Sequence, residues 1–307
     1  MILKGKDVAE SVNSEILTST EPCYADNIVP TVAIIRVGEN PGDIAYENGA
    51  IKKAKSLGLM PEKYTCPADF SEDDLIDVIN ICNNKKDIHG ILLLQPLPSY
   101  MDADRVRNNI APEKDIDGIT DINLGNVFIG KDGFAPCTAE SCMEILKHYN
   151  IELVGKKAVV IGRSLVIGKP VAMMLMKENA TVTMCHTKTP HEDLVKYCRE
   201  ADIIVTAAGH RNTLTKEMVR EGQTVIDVGI NFNEEGKMCG DAAYDEICDI
   251  VENITPVPGG VGSVTTSILM KHLVKSASEC IGKNSIKPAV NSDPFSNIQP
   301  LPEFPGF

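Results

Sequence analysis

Between residues 30 and about 230, short apolar runs alternate with stretches of helical period, and this alternation constrains the fold more than any other feature. Pro30 to Val37 (PTVAIIRV) reads as a buried strand. A helix is predicted from about Pro41 to Leu57: Asn40 can cap it, Pro41 suits its first turn, Asp43 can complete a capping box, and Gly58 ends it. Glu62 to Cys66 reads as a short strand, and Ser71 to Cys82 as an amphipathic helix capped by Ser71. Gly90 to Leu94 (GILLL) is a buried strand closed by the turn-forming Pro96-Leu97-Pro98. The order β-α-β-α-β implies a parallel sheet with helices on its faces.

A loop-rich stretch, 111–137, places a domain boundary in or just after it. Beyond a helix at Thr138–Tyr149, a second α/β series begins, with strands at 156–161, 181–185, 202–206 and 224–228 and helices at 168–178 and 191–200. A last helix, from about Thr265 to Cys280, follows the completed second sheet and is expected to pack back on the first domain. The expected fold class is therefore α/β in two domains. Residues 1–137, completed by helix 265–282, form the first, and 138–264 form a Rossmann-type dinucleotide-binding domain. The Pro, Ser and Asn content of 283–307 predicts an irregular tail.

The net charge of −13 argues against a general nucleic-acid or anionic-membrane partner. Ten cysteines without a CxxC pair read as free structural thiols in a reducing compartment, with no metal site. No apolar run approaches the ~20 residues of a membrane span, and the N-terminal MILKGKDVAESVNSEIL lacks a signal-peptide core, so a cytoplasmic location is expected.

Lys156 to Pro170, KKAVVIGRSLVIGKP, carries the strongest local chemistry. A strand runs into Gly162 and a helix opens at Gly168, so glycine backbone and free helix N–H groups converge where a pyrophosphate can sit. A P-loop needs four residues between its glycines and a hydroxyl after the lysine. Here five intervene and Pro170 follows Lys169. A ligand-free turn is the plainer alternative. The residues after the next strand, Cys185-His186-Thr187-Lys188, lack the acid that holds an NAD ribose, and Arg163 stands on the glycine turn. Both features favour NADP over NAD.

Several segments together resemble the bifunctional methylenetetrahydrofolate dehydrogenase/methenyltetrahydrofolate cyclohydrolase family. They are VGENPGDIAYENGAIKKAKSLG, GILLLQPLP, PEKDIDG, PCTA, GRSLVIGKP, CHTKT, VIDVGIN and ITPVPGGVGSVT, in family order across about residues 1–282. The resemblance implies tetrahydrofolate derivatives as substrates, a cleft between the domains as active site, and a homodimer. It assigns Tyr46 to stacking on the folate, Asp117 to anchoring the pterin, and Pro258, Gly259 and Gly260 to the loop lining that site. Gly162, Arg163 and Ser164 match the phosphate-binding turn, with Gly168 opening its helix. Thr187 stands where a serine lies near the cofactor, and Ile230 matches a backbone contact on the nicotinamide side. Singly, Tyr46 reads as a packing residue, Asp117 as a loop cap and Gly259-Gly260 as a turn; only the joint match gives them these roles.

Two departures bear on chemistry. The family's Tyr-x-x-x-Lys ends here in Ala50, and the family's Val-Gln-Leu-Pro strand end reads Leu93-Leu94-Gln95-Pro96, so Leu94 replaces the glutamine. On a strand, Gln95 points to the opposite face unless a bulge or turn re-aims it. Smaller departures are Asp43 for Ser, Ala139 and Ser141 for Pro and Gly, and Ser263 for Pro. Hydride transfer needs positioning and no protein acid or base, whereas hydrolysis of the methenyl bridge needs a tuned proton carrier. An NADP-linked dehydrogenase with doubtful cyclohydrolase activity is therefore expected. The alternatives are a fully bifunctional enzyme in which Lys53 or Gln95 substitutes, and a folate- and nucleotide-binding protein without catalysis. Lys53, seven residues after Tyr46 and on nearly the same face, is the nearest basic candidate, though a solvated surface lysine is its plainer reading.

Overall fold

The computed structural model describes residues 1–282; the tail at 283–307 lies outside the described residues. The first sheet has three parallel strands, β1 (Thr31–Val37), β2 (Met60–Cys66) and β3 (Gly90–Leu93), in the order β2-β1-β3. Between them run α2 (Pro41–Ser56) and α3 (Glu72–Asn84). All seven residues of β1 and all four of β3 are buried, as a parallel sheet covered on both faces requires. Alternate residues of β1 serve two cores. Val32 and Ile34 meet Ala50, Leu94 and Ile268, while Ala33, Ile35 and Val37 meet Leu75 and Ile79. The Asn40 side chain accepts from the Gly42 amide at 2.8 Å and caps α2. Asp43 only adds acid to the first turn and closes no capping box.

Short helices α4 (Ala103–Arg107) and α5 (Asp121–Ile129) and the longer α6 (Cys137–His148) lead to the second sheet. Its strands are β4 (Lys157–Ile161), β5 (Thr181–Cys185), β6 (Ile203–Thr206), β7 (Thr224–Asp227) and, after a hairpin of β8 (Asn231–Phe232) and β9 (Met238–Cys239), β10 (Asn253–Ile254). The order is β10-β7-β6-β4-β5, parallel throughout, with helices α7 (Gly168–Lys177) and α8 (His191–Glu200) as crossovers. A short α9 (Tyr244–Ile247) precedes β10. Beside β10 lies the start of the chain: the Ile254 amide donates to the Met1 carbonyl and the Leu3 amide to the Ile254 carbonyl, at 3.0 and 2.8 Å.

Two helices differ from expectation. α1 (Gly5–Ala25) has no capping side chain and carries Pro22 inside it, so no local signal marks it. It forms because Val8, Val12 and Ile16 bury against the last helix, α10 (Gly262–Ser278), which starts three residues earlier than expected. Helix α10 lies against α1, α2, α6, β1 and β3, and so packs with the first sheet. One apolar cluster extends from Val8 and Val12 through Ile145 on α6 to Val160 and Leu175 beside the second sheet. Among the described residues, no helix is long and apolar enough to cross a membrane.

Candidate active site

The segment Lys114 to Gly118 (KDIDG) divides its labour residue by residue. Lys114 Nζ donates to the carbonyls of Cys82, Asn83 and Lys85 at 3.1, 2.7 and 2.7 Å, closing the C-terminal end of α3. The Asp115 carboxylate is fully buried and accepts from the amides of Ile119 and Thr120 and from Asn123 Nδ2, at 3.1, 2.8 and 2.9 Å. Gly118 has φ +70°, and a Cβ there would collide with Ala135. Asp117 is left as the carboxylate not spent on the loop. Burial, then the neighbouring Asp115, raises its pKa to about 7, against a downward pull from Cys137 and His272.

Tyr46, on α2, packs partly buried against the cluster shared by both sheets. Its hydroxyl pKa is raised by burial and then by Asp117 and Cys137, which places the phenol within the field of the Asp117 carboxylate. One residue on, Glu47 is wholly buried, with Arg36 Nε at 3.0 Å and Lys63 Nζ at 2.5 Å. This ion pair ties α2 to β1 and β2. Charged residues one position from Tyr46 and inside a strand gave no sequence cue that they would meet inside the fold.

Ala50 is fully buried and shares its apolar cluster with Leu94. The Leu94 amide continues the ladder to the Ile35 carbonyl at 2.9 Å, so its side chain keeps the core face. Gln95 is exposed. Lys53 Nζ lies 3.5 Å from Asn13 Oδ1 on α1, and partial burial lowers its pKa. Pro258 and Gly259 are exposed and Gly260 is buried. The Gly5 amide at the start of α1 donates to the Gly259 carbonyl at 2.8 Å, so that helix end braces the loop. Gly259 has φ +105°, which only glycine adopts readily.

At the end of β4, Gly162 takes φ +140°, and a Cβ there would strike the Ala207 carbonyl. A Cβ on Gly168 would strike the Gly162 carbonyl, so both glycines are needed for the turn to close. Ser164 Oγ accepts from the Ile167 amide at 3.2 Å and keeps its own O–H to donate. A cavity of about 550 Å³ opens here, lined by Gly162, Arg163, Ser164 and Thr187, together with His186, His191 and His210. Gly168 stays buried behind the turn, and Ile230, 66 % exposed, does not line this cavity. His186 Nδ1 accepts from the Lys188 amide at 3.2 Å, which leaves its proton on Nε2. Arg163 is exposed and makes no side-chain hydrogen bond or ion pair among the described residues, so an anion can take its whole fork. The cavity thus has the donors, the backbone approach and the size class of a dinucleotide site.

Sequence reasoning missed two aspartates behind this cavity. Asp227 accepts from Thr206 Oγ1 and from the amides of Gly229, Asp241 and Ala242, at 3.0, 3.0, 3.0 and 2.9 Å. Asp241 in turn accepts from the Ala208 and Gly209 amides and from Asn231 Nδ2, at 2.6, 3.0 and 2.8 Å. Together they fix the loops after β6 and β7, including the one that carries Ile230. Their partners are mostly backbone amides, which leave no pattern in a sequence.

Residues 3–117 match the model of the tetrahydrofolate dehydrogenase/cyclohydrolase catalytic domain, and residues 136–281 that of the same family's NAD(P)-binding domain. A bifunctional protein FolD from Clostridioides difficile is 44 % identical over 276 residues, covering 90 % of this chain and 96 % of that one. The chain belongs to the tetrahydrofolate dehydrogenase/cyclohydrolase family. A second relative, the bifunctional protein FolD of Carboxydothermus hydrogenoformans, is 47 % identical over 277 residues, with 89 % of this chain and 96 % of that one covered. Among solved family structures, the bifunctional FolD of Campylobacter jejuni superposes with a TM-score of 0.88 at 39 % identity, covering 91 % of this chain and 99 % of that one. The Trypanosoma brucei FolD, solved with NADP cofactor and inhibitor, gives 0.85 at 31 % identity over 92 % and 98 %. The two-domain α/β architecture is therefore that of the tetrahydrofolate dehydrogenase/cyclohydrolase family, with the glycine turn in its NAD(P)-binding domain.

Proposed function

We propose that this protein oxidises 5,10-methylenetetrahydrofolate to 5,10-methenyltetrahydrofolate with NADP as acceptor, and that its cyclohydrolase activity is weak. We read residues 1–137 with helix 265–282 as the folate-binding part and 138–264 as the dinucleotide part. The chain is read as a homodimer on the family resemblance, and as cytoplasmic on its free cysteines. Bound NADP supplies the hydride acceptor. Gly162 and Ser164 hold its phosphates, and Arg163 with Thr187 takes the 2′-phosphate. Tyr46 stacks on the folate, and Asp117 accepts paired N–H bonds from the pterin. The methylene carbon loses a hydride and its two nitrogens share the resulting charge, so no protein group has to move a proton.

The observation that carries the reading is the contrast between an intact cofactor turn and a sealed hydrolytic position. Arg163 is open to an anion, while Ala50 and Leu94 are packed in one apolar cluster. Neither a methyl nor an isobutyl group can relay a proton to water at the methenyl bridge. Lys53 supports the bifunctional alternative through its lowered pKa, but its ammonium lies against Asn13. The test follows reduced cofactor and methenyl-folate separately in one reaction. NADPH forming while methenyl-folate accumulates supports the proposal. Rapid methenyl hydrolysis, lost on Lys53→Ala, overturns its second half.

A further inference from the structure

His272, on α10, is 4 % exposed and has no part in the roles assigned above. Its Nδ1 lies 2.8 Å from the Ile116 carbonyl oxygen and its Nε2 lies 2.8 Å from Glu140 Oε2 on α6. The first partner can only accept. The second is a carboxylate that burial would raise, but that His272, Lys271 and Lys275 hold below its usual range. Both ring nitrogens thus face oxygen acceptors, an arrangement that the imidazolium form satisfies with Glu140 as its counter-ion. The Phe134 ring, 5.0 Å away by centroids, bounds its position.

The Ile116 carbonyl belongs to the peptide that leads into Asp117. Cys137 Sγ donates to the same oxygen at 3.3 Å and stands 3.7 Å from His272 Nδ1. Two donors therefore hold the peptide plane next to the carboxylate. We propose that His272 and Glu140 are a positioning pair for the pterin anchor: His272 fixes the peptide that carries Asp117 and brings positive charge beside its carboxylate, and Glu140 holds the His272 ring in that place. The proposal rests on the reading of Asp117 as the folate anchor and adds the groups that make that anchor work. Glu140 and His272 come from helices on either side of the loop, so the pair also latches α10 to α6 at that point.

Groups from three elements act on Asp117. Asp115 from its own loop works against ionisation. Cys137 from α6 and His272 from α10 favour it, and the neutral Tyr46 phenol of α2 stands nearby. Around Glu140 stand His272, Lys271 and Lys275. Removing the His272 charge while keeping a donor is possible with His272→Gln, whose amide can still reach the Ile116 carbonyl. Removing its counter-charge is possible with Glu140→Gln.

The experiment measures KM for methylenetetrahydrofolate and for NADP between pH 5.5 and 9 in the wild type, His272→Gln, Glu140→Gln and Asp117→Ala. In His272→Gln the acidic limb of kcat/KM for folate is expected to move up by ~0.5 pH unit or more, the effect of one screened charge. Folate KM at pH 7 should rise roughly 3–10-fold, the size of one ordinary hydrogen bond's net contribution, with NADP KM within about twofold. Glu140→Gln should raise folate KM in the same direction and by less, and it covers the case in which His272→Gln fails to fold. An unmoved limb and unchanged folate KM in both variants, with folate binding lost in Asp117→Ala, overturns the pair and leaves the function standing. Equal losses on both substrates also overturn it, since a general structural role predicts that. Unchanged folate affinity in Asp117→Ala overturns the anchor reading and the pair with it.

Discussion

Asp117 holds a proton more tightly than an ordinary carboxyl, because its half-buried carboxylate is poorly solvated and Asp115 lies close by. As the proposed anchor it must be ionised to accept both pterin N–H bonds. Folate affinity should therefore fall as pH drops through about 7, which isothermal titration at pH 6 and pH 8 would show. The sign for stability is opposite. A carboxyl whose folded pKa is raised favours the fold below its unfolded value, and that contribution is lost as pH rises through about 7. Acidification within this window should thus weaken folate binding without weakening the apoprotein through this group. Asp117→Ala should remove the pH effect on folate and leave dinucleotide affinity unchanged. Arg163→Ala should weaken NADP by ~10–100-fold, the worth of a charge-assisted fork, and NAD far less. Equal weakening would place Arg163 on the shared pyrophosphate. At this scale the glycines of the turn were legible, and Asp117 and Arg163 stood out as candidates, because each belongs to a contiguous motif. Glu47, Asp115, Asp227 and His272 were not, because their partners lie far along the chain or are backbone amides.

On the proposed function, helix α2 carries the difference between the two chemistries. It presents Tyr46 on one turn and Ala50 on the next, and the second position is sealed by Leu94 at the end of β3. Ala50→Lys would push an ammonium into that cluster, so the single variant should lower the melting temperature by several degrees, at ~2–4 °C per kcal/mol. Leu94→Gln beside it should recover part of the loss and raise methenyl hydrolysis above either single variant. A double variant no faster than the parent would mean that these two positions are not what limits hydrolysis. Elements with their own caps and periods were readable from the sequence: α2 from Asn40 and Pro41, α3 from Ser71, and β1 and β3 from unbroken apolar runs. Helix α1, the β8–β9 hairpin and the two-residue β10 were not anticipated. Helix α1 has no side-chain cap and an internal proline, and the strands are too short to show a period.

At the scale of the molecule, one apolar cluster joins α1, α2 and α10 to α6, α7 and the second sheet. Two units that share a core should not melt apart. Calorimetry of the apoprotein is expected to show a single transition, and NADP at about a hundred times its Kd should stabilise the whole by ~2.7 kcal/mol. Two resolved transitions, with only the later one moved by NADP, would show that the cluster does not couple the units. The first residues of the chain have another consequence. By bonding to both the amide and the carbonyl of Ile254, Met1 and Leu3 occupy the donor and acceptor that β10 would otherwise present at the edge of its sheet. An uncovered edge of this kind recruits strands from other molecules. Removing residues 1–4 should therefore show up first as self-association: light scattering that rises with concentration and temperature, before folate turnover is measurably affected.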